Sequence, residues 1–360
     1  MTSRDLARLR MVSQGLASPG ATLADPAAVV NHFGGMQAQD YLQALWAIGV
    51  RLPSGTTEAQ VEQAIADRQI VRTWPMRGTL HFVNPADVRW MLQLLTPRII
   101  AGSALRQRQL ELDATIFVRC EKIFLKALRG GHQLTREALL QLLEQSKIST
   151  TSQRGYHILW RLSQEGLLCI GPRQGKSQTF VLLDEWIPNP TSTSLTGTEA
   201  LVELASRFFT SRGPATLADF AGWAGVKLSD ARTGLEGASS SLEKLTVNST
   251  DYWLRRDLPS TKPKSPAVHL LPGFDEILLG YKDRSASLDP AQASKIVPGN
   301  NGIFLPTMVA DGQVIGTWKR VLKKKNVEIT LLPFAPLTKS KHTAFTSATT
   351  PYRTFLDLTK

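Results

Sequence analysis

The sequence has very few cysteines and no clustered metal ligands. Cys120 and Cys169 are the two cysteines among 360 residues, and neither has a second Cys or a His at zinc-site spacing. A disulfide framework and a structural zinc are therefore unsupported, and such cysteine usage is typical of a reducing compartment. The six histidines are scattered, and no Ser-His-Asp spacing or phosphate-binding Gly-Lys-Ser/Thr motif occurs. We predict no metal and no cofactor.

Long hydrophobic runs are also missing. No apolar stretch reaches about 18 residues, the length needed to span a membrane. The first ten residues carry charges where a signal peptide needs an apolar run. The sequence predicts a cytoplasmic protein with no membrane association. Its 42% of hydrophobic residues suffices for large cores in several modules.

Acidic residues are too few to balance the basic ones. The 42 Lys and Arg against 30 Asp and Glu give a formal net charge of +12. Residues 1–132 carry 15 basic and 10 acidic side chains, and residues 261–360 carry 14 and 7. An excess at the two ends favours a polyanionic partner such as nucleic acid, although many basic proteins bind none.

Three stretches of the chain share an order of helices followed by a hairpin. Helix starts are predicted at N-caps followed by proline or at capping threonines, namely Asp25-Pro26, Asn84-Pro85, Thr96-Pro97, Thr135 and Thr216. The predicted strand pairs are 70–74 with 79–83, 167–170 with 178–183, and 242–247 with 252–256. This order is typical of a winged helix, so we predict an α+β protein with three tandem winged-helix (helix-turn-helix) domains.

A separate C-terminal module is predicted after a polar, proline-rich linker at residues 257–266. Its strands are expected at 267–271, 303–310, 313–318 and 327–332, with Asp311-Gly312 as a type I′ turn, which indicates a small β-barrel or sheet. The predicted segments are winged helix 1 (1–95), a helical connector (96–131), winged helix 2 (132–190), winged helix 3 (191–258) and the C-terminal barrel module (259–360).

The most unusual local sequence surrounds the triplet Gln37-Ala38-Gln39. Asp40, with Gln43 three positions on, resembles a capping box that begins a helix. In an extended segment before that helix, residues two apart point the same way, so both amides would face one spot. The alternative is two ordinary surface glutamines beside a helix cap.

With the segment from Arg72 to His81, this triplet resembles the AlkZ-type winged-helix DNA glycosylases. The segments 272–284, 301–307 and 316–320 resemble the C-terminal module of that family, and the resemblance extends over essentially the whole chain. It implies three winged helices and a β-barrel around a concave DNA-binding surface. It also implies excision of N7-alkylated guanines, including those in azinomycin-type interstrand crosslinks.

In that family the Gln-x-Gln triplet is catalytic, whereas a sister branch similar to YcaQ has Asp at the second position. The resemblance therefore assigns catalysis to Gln37 and Gln39. We predict a monofunctional glycosylase, because no lysine adjoins the triplet to form a Schiff base with the sugar. We expect it to act as a monomer on double-stranded DNA carrying alkylated guanine, in a bacterial cytoplasm and at the nucleoid.

Six further residues are candidates for DNA contact: Arg77, Thr79, His81, Arg284, Lys319 and Arg320. The first three lie on or beside the first hairpin, and the last two begin a basic run beside the Asp311-Gly312 turn. A solvated arginine and a histidine satisfied in the core are the alternatives for Arg77 and His81. For the acids Asp275, Glu276 and Asp283 we favour capping or ion pairing over catalysis or metal binding.

Two other functions remain open at the level of sequence. One is a non-catalytic winged-helix regulator that reads DNA through a helix at 152–165 with Arg154 and Arg161. The other is a structural DNA-binding protein whose glutamines are incidental. Release of free base from alkylated DNA separates the enzyme from both.

Overall fold

The structure of the protein is a computed structural model that describes residues 1–16, 23–188, 195–258 and 267–358. The chain forms two compact units, of which one combines Met1–Val61 with Leu201–Lys360 and the other is Glu62–Ala200. The boundaries of the five predicted segments remain a prediction. Most of the predicted linker at 257–266 lies outside the described residues.

The N-terminal part of the chain is helical with one short strand. Its elements are α1 (Ser3–Ser13), α2 (Pro26–Phe33), β1 (Met36–Gln37), α3 (Tyr41–Gly49) and α4 (Glu58–Ala66). The predicted start of α2 is confirmed, because the Asp25 carboxylate accepts the Ala28 N–H at 2.7 Å and Pro26 is the first helical residue. Gly34 ends α2 with φ 67°, a left-handed conformation that glycine adopts without strain. The chain can therefore turn at once into β1.

The unit Glu62–Ala200 holds two hairpins and the helices between them. Its elements are β2 (Val71–Met76), β3 (Thr79–Val83), α5 (Val88–Gly102), α6 (Ala104–Gln109), α7 (Ala114–Leu128), β4 (Leu134–Thr135), α8 (Arg136–Gln145), α9 (Arg154–Gln164), β5 (Leu168–Gln174), β6 (Ser177–Leu182), α10 (Leu183–Trp186) and the start of α11 (Gly197–Arg212). Within this unit the strand order is β3-β2-β5-β6-β4. The two hairpins meet where Arg72 pairs with Ile170.

One apolar core holds this unit together. Leucines, isoleucines and aromatic residues of α7, α8, α9 and the sheet, such as Leu143, Ile158 and Phe180, pack in a single cluster. Cys120 belongs to it, and burial raises the pKa of this thiol to about 11. Cys169 is also buried and free, so the described structure contains no bond between the two cysteines.

Two predicted helix starts in this unit are wrong. Asn84 accepts the Ala86 N–H at 2.9 Å and makes a tight turn, and α5 begins four residues later at Val88. Thr96-Pro97 lies inside α5, where the Thr96 hydroxyl donates to the Leu92 carbonyl oxygen and so stays within the helix. Proline thus interrupts the hydrogen-bond ladder of α5 without ending the helix.

The predicted hairpins are present with longer strands and tighter turns. Between β2 and β3 the turn is Arg77-Gly78, with φ values of 53° and 70°, rather than the predicted 75–78. Between β5 and β6 the turn is Gly175-Lys176, which is shorter than the gap between the predicted strands 167–170 and 178–183. Positive φ at both turn positions of the first hairpin is the geometry of the type I′ turn.

The rest of the first unit follows α11. Its helices and strands are α12 (Leu217–Ala224), α13 (Leu228–Ala238), β7 (Leu242–Val247), β8 (Thr250–Arg255), β9 (Val268–Leu271), α14 (Glu276–Leu279), α15 (Ala293–Ile296), β10 (Thr307–Ala310), β11 (Gln313–Lys323), β12 (Asn326–Pro333), α16 (Lys339–Ser347) and α17 (Thr349–Phe355). The predicted cap at Thr216 is confirmed, because Thr216 and Asp219 form a reciprocal capping box.

The C-terminal strands form an open sheet. The order is β12-β11-β10-β9, and its edge strands β9 and β12 do not pair with each other in the described part of the chain. The predicted closed barrel is therefore not found in the described residues. The predicted Asp311-Gly312 turn between β10 and β11 is confirmed, with φ values of 51° and 79°. The basic run that Lys319 and Arg320 begin is predicted beside this turn, but it continues to Lys323–Lys325 at the tip of the next hairpin, between β11 and β12.

Within the described ranges, no helix combines the length and apolar character needed to cross a bilayer.

Candidate active site

The Gln37-Ala38-Gln39 triplet occupies β1 and the residue pair after it. Met36 and Ala38 are buried, whereas Gln37 is half-buried and Gln39 is exposed. The alternation agrees with the expectation that the two amides lie on one side of an extended segment. The Gln37 Oε1 atom is shielded from solvent and has no hydrogen-bond partner among the described residues.

The helix after the triplet begins with a single side-chain cap. The Asp40 carboxylate accepts the Gln43 N–H at 3.2 Å, so capping by Asp40 is confirmed. The reciprocal half of the predicted capping box is wrong, because the Gln43 Oε1 atom accepts the Gly273 N–H at 3.0 Å instead. Gln43 thus joins α3 to the segment before α14.

A buried ion pair lies directly behind the triplet. Arg212 at the end of α11 and Glu276 at the start of α14 are fully buried, with 2.8 Å between Nε and Oε2. The Arg212 guanidinium donates to the carbonyl oxygens of Phe33 and Gly35, each at 2.8 Å. Glu276 Oε1 accepts the Gln37 N–H at 3.5 Å. The pair therefore contacts the backbone at positions 33, 35 and 37.

Electrostatics explains why these two charges occur together. Burial lowers the pKa of Arg212, and the neighbouring Glu276 carboxylate opposes that shift. Removing one partner of a buried ion pair leaves the other charge uncompensated and destabilises the folded protein by roughly 3–5 kcal/mol. The Tyr281 hydroxyl donates to the Arg212 carbonyl oxygen at 2.7 Å, and burial raises the pKa of Tyr281 to about 12.

A second buried pair stands beside the first. Asp275 binds Arg51 through two hydrogen bonds of 2.8 and 2.9 Å, and its Oδ1 atom also accepts the Ile277 N–H at the start of α14. The interpretation of Asp275 and Glu276 as capping and ion-pairing residues is confirmed. In the described residues, no group of three or more His, Cys, Asp or Glu side chains is arranged to hold a metal ion.

The comparison with known proteins gives the family. A family model described as DNA glycosylase AlkZ-like matches residues 30–355. The chain belongs to the AlkZ-like DNA glycosylase family. It is therefore an enzyme that cleaves the bond between base and sugar in DNA, and the resemblance drawn from the sequence is confirmed.

Two comparisons agree with this assignment. The chain is 26% identical over 333 residues to the interstrand DNA cross-link repair glycosylase of Streptomyces sahachiroi, with 85% of this chain and 84% of that protein covered. The solved structure of Streptomyces sahachiroi DNA glycosylase AlkZ has the same fold, with a TM-score of 0.81 at 24% identity. The match covers 100% of this chain and 98% of that one.

In this AlkZ-like chain the C-terminal sheet lies against the helix that follows the triplet. Trp46 of α3 donates its indole N–H to the Leu270 carbonyl oxygen of β9 at 2.8 Å. Arg320 of β11 stacks over the Tyr352 ring at 5.4 Å. Burial lowers the pKa of Arg320, and the nearby charges of Asp40 and Glu58 oppose the shift. The structure therefore brings Arg320 near the cap of α3, whereas Lys319 on the other face of β11 is exposed.

The hairpin of the second unit holds Arg77, Thr79 and His81. His81 is buried, with Nδ1 2.9 Å from the Thr79 carbonyl oxygen and Nε2 3.3 Å from the Arg77 guanidinium. These contacts fit a neutral imidazole that donates from Nδ1 and accepts at Nε2. His81 therefore accepts a hydrogen bond from the Arg77 guanidinium. DNA contact by Arg77, Thr79 and His81 remains a prediction.

Arg284 has an internal role in the first unit. Its Nε atom donates to the Leu278 carbonyl oxygen at 2.8 Å, and its guanidinium stacks on Phe304 at 5.0 Å. Burial is the main cause that lowers its pKa. Contact between Arg284 and DNA remains a prediction.

Sequence reasoning missed the residues that hold the triplet from behind. Arg212 and Tyr281 carried no local signal, because an arginine at a helix end and a tyrosine in a loop are ordinary features of a sequence. Glu276 was considered only as a capping or ion-pairing acid. The nearest signal was the pair of adjacent acids Asp275-Glu276, since two charges next to each other in an apolar segment each need a buried partner.

Proposed function

We propose that this protein hydrolyses the N-glycosidic bond of N7-alkylated guanine in duplex DNA, with Gln37 and Gln39 as the catalytic residues. The observation that carries the proposal is the Gln37 amide, whose Oε1 atom is shielded from solvent and makes no hydrogen bond to the described residues. Its backbone is held by buried charges. Because this oxygen is closed to water in the structure, the proposal requires the amide to turn towards bound DNA, where an acceptor with no internal partner can orient a water molecule or face a developing positive charge.

The chemistry tolerates an amide because the substrate is already activated. Alkylation at N7 makes the guanine cationic, so breaking its bond to C1′ releases a neutral base and needs no protonating acid. The oxygen of a water molecule forms the new bond to C1′, and the water loses its proton to solvent. The glutamine carbonyl oxygens orient that water and stabilise the oxocarbenium-like transition state.

We extend the proposal to crosslinked DNA. The Streptomyces sahachiroi relative is named as an interstrand DNA cross-link repair glycosylase. A crosslink that joins two guanines through N7 carries the same activated bond at each base. Hydrolysis at one base would unhook the two strands, whether or not the base leaves the helix stack.

DNA binding by this protein would be mainly electrostatic. We propose phosphate contacts by Lys319, Arg320 and Arg77, with Thr79, His81 and Arg284 supporting them. Three winged-helix units at the predicted boundaries are part of this proposal. We propose that the enzyme works as a monomer at the nucleoid of a bacterial cytoplasm.

The regulator hypothesis has less support. Arg154 donates to the Ser149 carbonyl oxygen at 2.9 Å, and Arg161 pairs with Glu165 at 2.7 Å and stacks over Phe117. Both arginines of the candidate recognition helix are thus engaged inside their own unit. Base reading in the major groove needs side chains that reach the base edges.

A base-release assay tests the proposal. We expect the wild type to release 7-methylguanine from a methylated duplex, and Gln37→Ala and Gln39→Ala to lose release while keeping duplex affinity. Gln63→Ala, at an exposed glutamine of α4, is the matched control and should release base at the wild-type rate. Full activity in both triplet variants would overturn the catalytic assignment, and no release by any protein would overturn the substrate.

A further inference from the structure

We propose that Arg212 and Glu276 are positioning residues for Gln37, an inference that rests on the proposed catalytic role of Gln37. Neither side chain is placed to touch DNA, because both are fully buried. They act on the backbone that carries the amide. The pair joins three segments that are far apart in the sequence: the triplet, the end of α11 and the start of α14.

The contacts of the pair bracket the turn between α2 and β1. Arg212 binds the carbonyl oxygens of Phe33 and Gly35, and Glu276 receives the N–H of Gln37. Phe33 is the last residue of α2, Gly34 is left-handed and Gln37 lies in β1, so these bonds fix the turn that leads from the helix into the strand. By fixing that turn, the pair sets the position of the backbone from which the Gln37 side chain extends.

The hydrogen-bond lengths show which of the two residues binds the backbone more strongly. The two Arg212 bonds are 2.8 Å long, and hydrogen bonds from a charged donor are the stronger kind. The Glu276 to Gln37 bond is 3.5 Å long and correspondingly weak. Arg212 therefore contributes most of the binding that fixes the backbone before Gln37. Glu276 orients the guanidinium and neutralises its charge, so the pair acts through geometry rather than through a net field.

The neighbouring pair offers a matched control within the same protein. Arg51 and Asp275 are as buried as Arg212 and Glu276, with the same 2.8 Å separation, and Asp275 adjoins Glu276 in the chain. Arg51 donates to the carbonyl oxygens of Ala47 and Gln14 and stacks over the Phe33 ring at 4.9 Å, whereas Arg212 binds the backbone of residues 33 and 35 directly. If a substitution slows base release only by destabilising the protein, substitutions in the two pairs should slow it equally.

The experiment compares Arg212→Lys with Arg51→Lys in the full chain. Lysine keeps the charge but lacks the planar fork that reaches two carbonyl groups and a carboxylate. The single-turnover rate of 7-methylguanine release is measured with saturating enzyme, duplex affinity by fluorescence anisotropy, and folding by thermal melting. All assays run well below the lowest melting temperature.

We expect Arg212→Lys to lower the single-turnover rate by about 10- to 100-fold, because a displacement of the order of 1 Å at a catalytic group has that effect. Duplex affinity should stay within about threefold, and Arg51→Lys should keep its rate within the same margin. Equal loss of rate in the two variants, or loss of affinity without loss of rate, would overturn the proposal.

A second pair of variants covers the case in which a lysine variant does not fold. Glu276→Gln and Asp275→Asn each remove one buried negative charge with little change of shape, and asparagine can still cap α14. The rate should fall in Glu276→Gln and be kept in Asp275→Asn. If Gln37→Ala is itself fully active, the catalytic assignment fails; if Gln37→Ala is inactive and both pairs behave alike, only the positioning role fails.

Discussion

The side-chain oxygen of Gln43 lies 3.0 Å from the backbone nitrogen of Gly273, and this bond spans 230 positions of the sequence. It fixes the first turn of α3, directly after the Gln37-Ala38-Gln39 triplet, to the segment that leads into Asp275 and Glu276. Gly273 is also close to the Phe304 carbonyl oxygen, which a Cβ atom at position 273 would approach to 2.6 Å. The backbone at Gly273 is therefore confined between the Gln43 side chain and the Phe304 carbonyl group.

This closeness predicts that Gly273→Ala is destabilising. The added methyl group cannot fit without moving the Phe304 carbonyl or lengthening the bond to Gln43, and overpacking of this kind costs about 1–3 kcal/mol. Urea unfolding should show that loss in the free energy of unfolding. Gly222→Ala in α12 is the control, since a Cβ atom there meets nothing within 4 Å. An unchanged free energy in Gly273→Ala would show that the segment moves easily.

Absence of a covalent intermediate is a second prediction. A glycosylase that also cuts the strand needs an amine that forms a Schiff base with the sugar. The first lysine of the sequence is Lys122, so the segment around the triplet offers none. Borohydride should trap no protein–DNA adduct, and the product strand should break only after alkali treatment. A trapped adduct would require a different nucleophile and would contradict hydrolysis by water.

Local signals in the sequence predicted the local structure well. Asp25, Thr135 and Thr216 cap helices as expected, and Asp311-Gly312 makes the expected turn, because each depends on a few neighbouring residues. The alternation of burial along residues 36–39 agrees with the strand periodicity from which the two glutamines are expected to share a side.

Features that depend on distant partners were not predictable. Gln43 was expected to close a capping box with Asp40, but it bonds to Gly273, which no local pattern announces. Thr96-Pro97 is predicted to start a helix, but the single Thr96 hydroxyl proton is shared between the carbonyl oxygens of Leu92 in α5 and Gln164 in α9, and Thr96 lies inside α5. Arg212 contacts the backbone before the triplet only because α11 ends beside it, which no local pattern of the sequence indicates.

Stability should depend on pH through His269 of β9. Burial is the main cause that lowers its pKa, to about 4, so the folded protein prefers the neutral ring. The contribution of the neutral His269 ring to the free energy of unfolding is fully present above the unfolded pKa of about 6.5. It is lost as pH falls from there towards the folded pKa, by at most about 1.4 kcal/mol per pH unit.

Urea unfolding between pH 7 and pH 4.5 measures this effect. His269→Gln removes the titrating ring, so the wild type should lose stability relative to the variant as pH falls. The same substitution at the exposed His132 controls for the change of residue type. A difference between wild type and His269→Gln that stays constant with pH would contradict the prediction.

The last prediction concerns the salt dependence of DNA binding. Lys319 is exposed on β11, and Arg320 lies beside it, so both are candidates for phosphate contact. Each phosphate that is neutralised contributes a slope of roughly −0.9 to log K against log salt for duplex DNA. The double variant Lys319→Ala, Arg320→Ala should flatten the slope by up to about 2 and weaken damaged and undamaged duplex alike.

The structure adds a distinction between the two residues. Arg320 stacks on Tyr352, so its loss also removes a packing contact, whereas Lys319 is the cleaner probe of charge and should change the slope by about 1 on its own. Lys244→Ala is the control, because Lys244 already pairs with Asp251 at 2.6 Å. If the double variant lost only its preference for the lesion, with the salt slope unchanged, Lys319 and Arg320 would be reading the base rather than the backbone.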